Sequence, residues 1–198
     1  MNGKLIQKKE DLLRTAKDLF WKFGFRRVTV EEICREANVS KMTFYKYFSN
    51  KEDLAIEMIK KMFDENMKVF NEMMEADIPF EEKMHKQVQM KMEGTKNISE
   101  EFVKDIYGDV ESEINKYWKK RINEAMMEVM NHYKKAQEKG WIRKDLKIDF
   151  MMYLVNKFFE FTNDDYLISK YNTMQDLIME INKFFLYGIL PSNKPQNE

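Results

Sequence analysis

The sequence predicts an all-α protein of about nine helices, a three-helix head on a larger helical body. Three observations predict it. Apolar residues recur at three- and four-residue spacing along most of the chain, the period of helices with one buried face. Only 6 Gly and 3 Pro interrupt 198 residues, too little turn punctuation for a strand-rich fold. Hydrophobic residues make up 43% and aromatic residues 14% of the chain, enough to bury a core rather than remain disordered. The length accommodates one small and one medium domain, and the expected division is 1–50, 51–190 and a disordered tail over 191–198.

In the first helix, over 6–23, Leu12, Leu13, Ala16, Leu19, Phe20 and Phe23 share a face, and Gly24 supplies the stop. Thr29-Val30-Glu31-Glu32 is a capping box that opens a short helix with Val30, Ile33 and Ala37 inward. Asn38 tolerates a left-handed backbone and suits a tight turn, after which Ser40 caps a third helix over 41–48 anchored by Phe44 and Phe48. Asn50 is a candidate cap for a fourth helix over 51–76, which Asp77-Ile78-Pro79 ends. Helices over 79–93, from a Ser99 cap to 107, and over 109–139 follow, with Gly94, Gly108 and Gly140 as breaks.

The last two helices, over 148–162 and 173–187, are apolar on more than one stripe, so one face is expected on the chain's own core and the other on a second copy. Tyr153, Leu154, Phe158, Phe161, Leu177, Ile181 and Phe184 are the candidate dimer-interface residues, and a monomeric core is the competing reading.

A net charge of zero hides an asymmetry: residues 1–51 carry 12 Lys and Arg against 6 Asp and Glu, leaving 22 against 28 for the rest. A basic head suits a polyanionic partner or a merely solvated surface, and charge alone does not choose. The local pattern chooses. Two short helices joined by a tight turn form a helix-turn-helix, whose second helix enters the major groove of double-stranded DNA. Here that helix turns Ser40, Lys41, Thr43, Tyr45 and Lys46 outward, short polar groups for base edges and lysines for phosphates.

The run Thr29-Val30-Glu31-Glu32-Ile33-Cys34-Arg35-Glu36-Ala37-Asn38-Val39-Ser40-Lys41-Met42-Thr43-Phe44-Tyr45-Lys46-Tyr47-Phe48, followed by Asn50-Lys51-Glu52-Asp53-Leu54, resembles the DNA-binding signature of the TetR family. The resemblance covers about a quarter of the chain and implies DNA contacts from Thr29, Ser40, Lys41, Thr43, Tyr45, Tyr47 and Lys51. Met42 departs from the family's usual small residue and adds an apolar thioether to the contact set. Thr29 also serves as a cap, and Tyr47 and Phe44 also suit the head's own core. The resemblance further implies a ligand-responsive regulator, a repressor released from a palindromic operator by a small apolar or amphipathic inducer. The alternative is a DNA binder of the same fold controlled by a protein partner.

Met58, Met62, Trp118, Ile122, Met126 and Tyr133 are candidate pocket residues, since 17 Met give an adaptable apolar lining, although ordinary core packing explains the same pattern. No cofactor is expected. Cys34 has no partner for an intrachain disulfide, and His85 and His132 are too few and too separate for a zinc site or a catalytic pair. Cys34 fits a small buried residue. With no phosphate-binding glycine loop, an enzyme is not expected. The run Phe150 to Val155 is far below the roughly 18 apolar residues of a membrane span. The N-terminus places Lys8, Lys9 and Glu10 where a secretory signal would be apolar, so a cytoplasmic location is expected.

Overall fold

The computed structural model describes residues 2–108 and 112–191. Among them are ten helices: α1 Asn2–Phe23, α2 Val30–Glu36, α3 Lys41–Phe44, α4 Lys51–Glu75, α5 Phe80–Gly94, α6 Glu100–Gly108, α7 Glu113–Glu138, α8 Ile148–Phe161, α9 Asp165–Ile168 and α10 Met174–Gly188. The all-α class holds, and three details differ from expectation. α3 ends at Phe44, because residues 45–47 form a turn rather than a second helical turn. α6 includes Gly108 as its last residue, one beyond the expected end at Tyr107. The additional helix is α9, a single turn whose Asp164 cap accepts from the Leu167 N–H at 3.0 Å. Val110, expected on the seventh helix, and residues 192–198 of the expected tail lie outside the described residues.

The chain divides into two compact units, 1–68 with 97–122 and 69–96 with 123–198. In the first, Leu12, Leu13, Ala16, Phe20 and Trp21 of α1 enter one core with Ile33, Phe44, Phe48, Leu54 and Met58. Helix α6 packs on α1: the Ser99 N–H donates to the Trp21 carbonyl at 2.8 Å, and the Trp21 ring lies 4.2 Å from Phe102. Trp118 closes this aromatic group, 5.8 Å from Phe102 and 5.4 Å from Phe63.

In the second unit, α10 packs on α5 and buries Met174, Leu177, Ile178 and Met179, and Gln175 Nε2 donates to the Met92 carbonyl at 2.6 Å. α7 contributes Met130, Tyr133 and Ala136 to that unit's buried set. The turn after α7 uses Gly140 at φ +76°, and Gln137 Nε2 ties it down by donating to the carbonyls of Arg143 and Leu146 at 2.9 and 2.7 Å.

Gly24 ends α1 at φ +79°, a left-handed conformation that costs a side chain strain. A Cβ there would also stand 2.7 Å from Asp105 Oδ2, the oxygen that accepts the Arg26 N–H at 2.8 Å. Gly24→Ala is therefore expected to lose about 1–3 kcal/mol of stability. Gly94→Ala, with nothing within 4 Å of its Cβ and an ordinary φ, should gain up to about 1 kcal/mol. Urea midpoints of the two variants should move in opposite directions.

Candidate nucleic-acid interface

The interface is built from caps. Thr29 Oγ1 accepts the Glu32 N–H at 3.2 Å while Glu32 Oε2 accepts the Thr29 N–H at 3.0 Å, closing the capping box of α2. The hydrogen bond from the Thr29 N–H, with a smaller contribution from the Thr29 hydroxyl, holds the Glu32 carboxyl below its ordinary range. Asn38 turns the chain at φ +53°, with the Val39 N–H donating back to the Cys34 carbonyl at 2.9 Å. Ser40 then caps α3, accepting the Thr43 N–H at 3.2 Å.

A helix of four residues has too few internal hydrogen bonds to persist alone. Phe44 holds it, fully buried, with Phe48 5.6 Å away and also buried. Anchored on that side, α3 and the turn after it present Ser40, Lys41, Met42, Tyr45 and Lys46 to solvent, with Thr43 and Tyr47 half-buried. Met42 is 73% and Tyr45 58% exposed, so both side chains are open to solvent beside Lys41 and Lys46. Tyr47 packs against the head's core.

Lys51, the first residue of α4, is turned inward. Its ammonium donates to the carbonyls of Phe25, Val28 and Arg26 at 2.7, 2.8 and 3.3 Å and lies 4.3 Å from the Phe25 ring. Burial pushes its pKa down. Its three N–H donors have three acceptors, so a phosphate contact through this group would require one of those bonds to break. Lys41 pairs with Glu31 across the turn, and the pairing lowers the Glu31 carboxyl and raises the Lys41 ammonium. Cys34 is buried on α2, where burial pushes its thiol up.

Residues 12–58 match the model of bacterial regulatory proteins of the tetR family. The head of the chain, about a quarter of its length, resembles the DNA-binding region of that family. It is similar to the uncharacterized HTH-type transcriptional regulator YhgD of Bacillus subtilis strain 168, 35% identical over 81 residues. That stretch is 41% of this chain and 42% of YhgD, so the chain covers about two fifths of that relative's length. Two solved structures share the fold. E. coli NemR in its reduced form matches at a TM-score of 0.72 with 15% identity, over 95% of this chain and 99% of that one. The regulator FadR from Bacillus subtilis in complex with stearoyl-CoA matches at 0.67 with 16% identity, over 91% and 98%.

The candidate pocket residues are divided between the two units. Met58 and Trp118 are buried in the core of the first unit with Met62 and Ile122 packed against it, whereas Met126 and Tyr133 belong to the second. Of the candidate interface residues, Tyr153, Phe161 and Phe184 are exposed and Leu154, Phe158 and Ile181 half-buried. Leu177 is 2% exposed and belongs to the unit's own packing, because it faces inward with Met174 and Ile178 on α10. No helix among the described residues is long and apolar enough to cross a membrane. Among the described residues no three His, Cys, Asp or Glu side chains group as metal ligands.

Glu31 and Asp105 are site residues that local sequence reading does not find, since each acts on a partner outside its own helix. Lys51→Ala should cost about 2 kcal/mol or more by stranding carbonyls in the 25–28 loop. Because the ammonium is spent inside the head, the salt dependence of DNA binding by the fraction that remains folded should stay unchanged.

Proposed function

We propose that the chain is a DNA-binding transcriptional regulator, a dimeric repressor released from a palindromic operator by a small apolar or amphipathic ligand. The observation that carries this reading is the set Ser40, Lys41, Met42, Tyr45 and Lys46, exposed with the half-buried Thr43 on a one-turn helix and the turn after it, anchored by Phe44 and the Ser40 cap. A helix presented this way places short polar groups at base edges and lysines beside phosphates. Thr29 and the edge of Tyr47 flank it, and Met42 offers a thioether to thymine methyl groups. The head at 1–50 reads DNA, while 51–190 supplies dimerisation and ligand response.

The dimer reading is supported by the exposed aromatic side chains of α8 and α10, with Phe184 73% exposed beside Tyr187 on α10 and Phe150, Tyr153 and Phe161 exposed on α8. Phe158 packs on Phe185 at 5.8 Å, joining the two helices into one surface. Two such heads meet successive major-groove faces about 34 Å apart. Ligand response is supported by the FadR likeness, a structure that holds stearoyl-CoA. Ligand and operator weaken each other's binding reciprocally.

Selection of bound palindromic fragments supplies the DNA for testing. Lys41→Ala should lower the slope of log affinity against log salt by about one unit, and Glu31→Gln, which frees Lys41 from its carboxylate, should tighten binding at low salt. If neither variant moves the affinity, α3 is not the reading helix. Separately, Phe184→Glu should shift the sedimenting species from dimer to monomer while the head stays folded; an unchanged dimer would place the interface elsewhere.

A further inference from the structure

Arg26 and Arg27 are chain neighbours with opposite fates. The first is spent on α6: Asp105 Oδ1 lies 3.4 Å from its Nε, and Asp105 Oδ2 accepts its backbone N–H at 2.8 Å. Arg27 is exposed, and among the described residues no carboxylate forms an ion pair with it. Its charge reaches Glu32 and helps to lower that carboxyl, but Glu32 Oε2 already accepts from the Thr29 N–H and hydroxyl at 3.0 and 3.2 Å.

What holds Arg27 is a ring. Its guanidinium carbon lies 4.4 Å from the centroid of Phe23, and the Lys22 ammonium lies 5.0 Å from the same centroid. Contact of this kind with an aromatic ring orients a guanidinium without using any of its five N–H donors. Lys22 is exposed as well, so two cations share one ring, and among the described residues neither has an ion-pair partner. Two like charges kept this close repel each other until an anion joins them.

The backbone that carries the pair is fixed. The Gly24 N–H donates to the Phe20 carbonyl at 2.9 Å, the Phe23 side chain packs against the head's core, and the Lys51 ammonium gathers the carbonyls of Phe25, Arg26 and Val28. Arg27 therefore offers its donors from a seat set in advance, which lowers the ordering cost of receiving a partner.

The position of that seat indicates the partner. Arg27 stands two residues before Thr29, the cap of α2, and α2 is tied to α3 by the Glu31–Lys41 pair. In a helix-turn-helix the first helix crosses the DNA backbone while the second enters the groove. Two oxygens of one phosphate match two N–H groups on the edge of a guanidinium.

We propose that Arg27 is a preorganised DNA-backbone contact, held on Phe23 and donating to a phosphate outside the stretch read by α3. It rests on the DNA-binding function proposed above and extends the footprint of the head from the reading helix to the joint between α1 and α2.

The test measures binding of the full chain to the selected palindromic DNA over a range of salt concentrations. Arg27→Gln should lower the slope of log affinity against log salt by about one unit with an unchanged urea midpoint. It should weaken binding to the selected site and to scrambled DNA of equal length by the same factor, because a phosphate contact carries no base information. Arg27→Lys should restore the slope without the full affinity, since an ammonium keeps the charge and loses the fork. Phe23→Leu should weaken binding with the slope kept, because the guanidinium is no longer held in place. Arg14→Ala removes an equal charge that is already paired with Asp11 at 2.7 Å, and should leave the slope unchanged. A slope unmoved by Arg27→Gln, a change no larger than that of Arg14→Ala, a loss confined to the selected site, or an affinity unmoved by Phe23→Leu would each overturn the proposal. If Lys41→Ala lowers the slope and Arg27→Gln does not, this contact alone fails. If neither does, the DNA-binding surface lies elsewhere and the role of α3 fails with it.

Discussion

A helix of one turn cannot hold itself in place, and the head of this protein is organised around that constraint. Nucleating a helix fixes several residues for a single hydrogen bond, so α3 exists only because its surroundings impose it. Phe44 drives one side into the core, which is worth about 1.5–3 kcal/mol of apolar burial, and Ser40 satisfies the free N–H groups at its start. With both inward and N-terminal positions committed, the remaining side chains have nowhere to go but out. The display of Lys41, Met42, Tyr45 and Lys46 is a by-product of how the helix is anchored.

The anchor needs a rigid seat, and two charged groups supply it. Lys51 gathers the carbonyls of 25–28 from one side, and Asp105 takes the Arg26 N–H and guanidinium from α6 on the other. Both act on the segment that connects α1 to α2, where no helical hydrogen bonds are available. Gly24 permits the close approach of Asp105 that makes this possible.

Local chemistry was legible in the sequence and remote chemistry was not. The Thr29–Glu32 box, the Ser40, Asn50 and Ser99 caps and the left-handed Asn38 all depend on residues within a few positions, and each is present. The end of α3 was misplaced because Phe44 and Phe48 keep helical spacing although a turn, not a helix, separates them. α9 was hidden because Asp164-Asp165 is as good a loop as it is a cap. Lys51 resembles a surface lysine until its acceptors, 23 to 26 residues earlier in the chain, are brought to it. The same holds for Leu177, whose period marks a helix face without saying which neighbour that face meets, and for Gln87, whose partner Tyr133 lies 46 residues later.

The chain has one sulfhydryl, and it is shut inside α2 with its proton held on by burial. That makes Cys34 a chemical clock for the head. An alkylating reagent in solution meets it only when α2 detaches from its neighbours, so the labelling rate counts local openings of the reading head, free of any signal from the rest of the molecule.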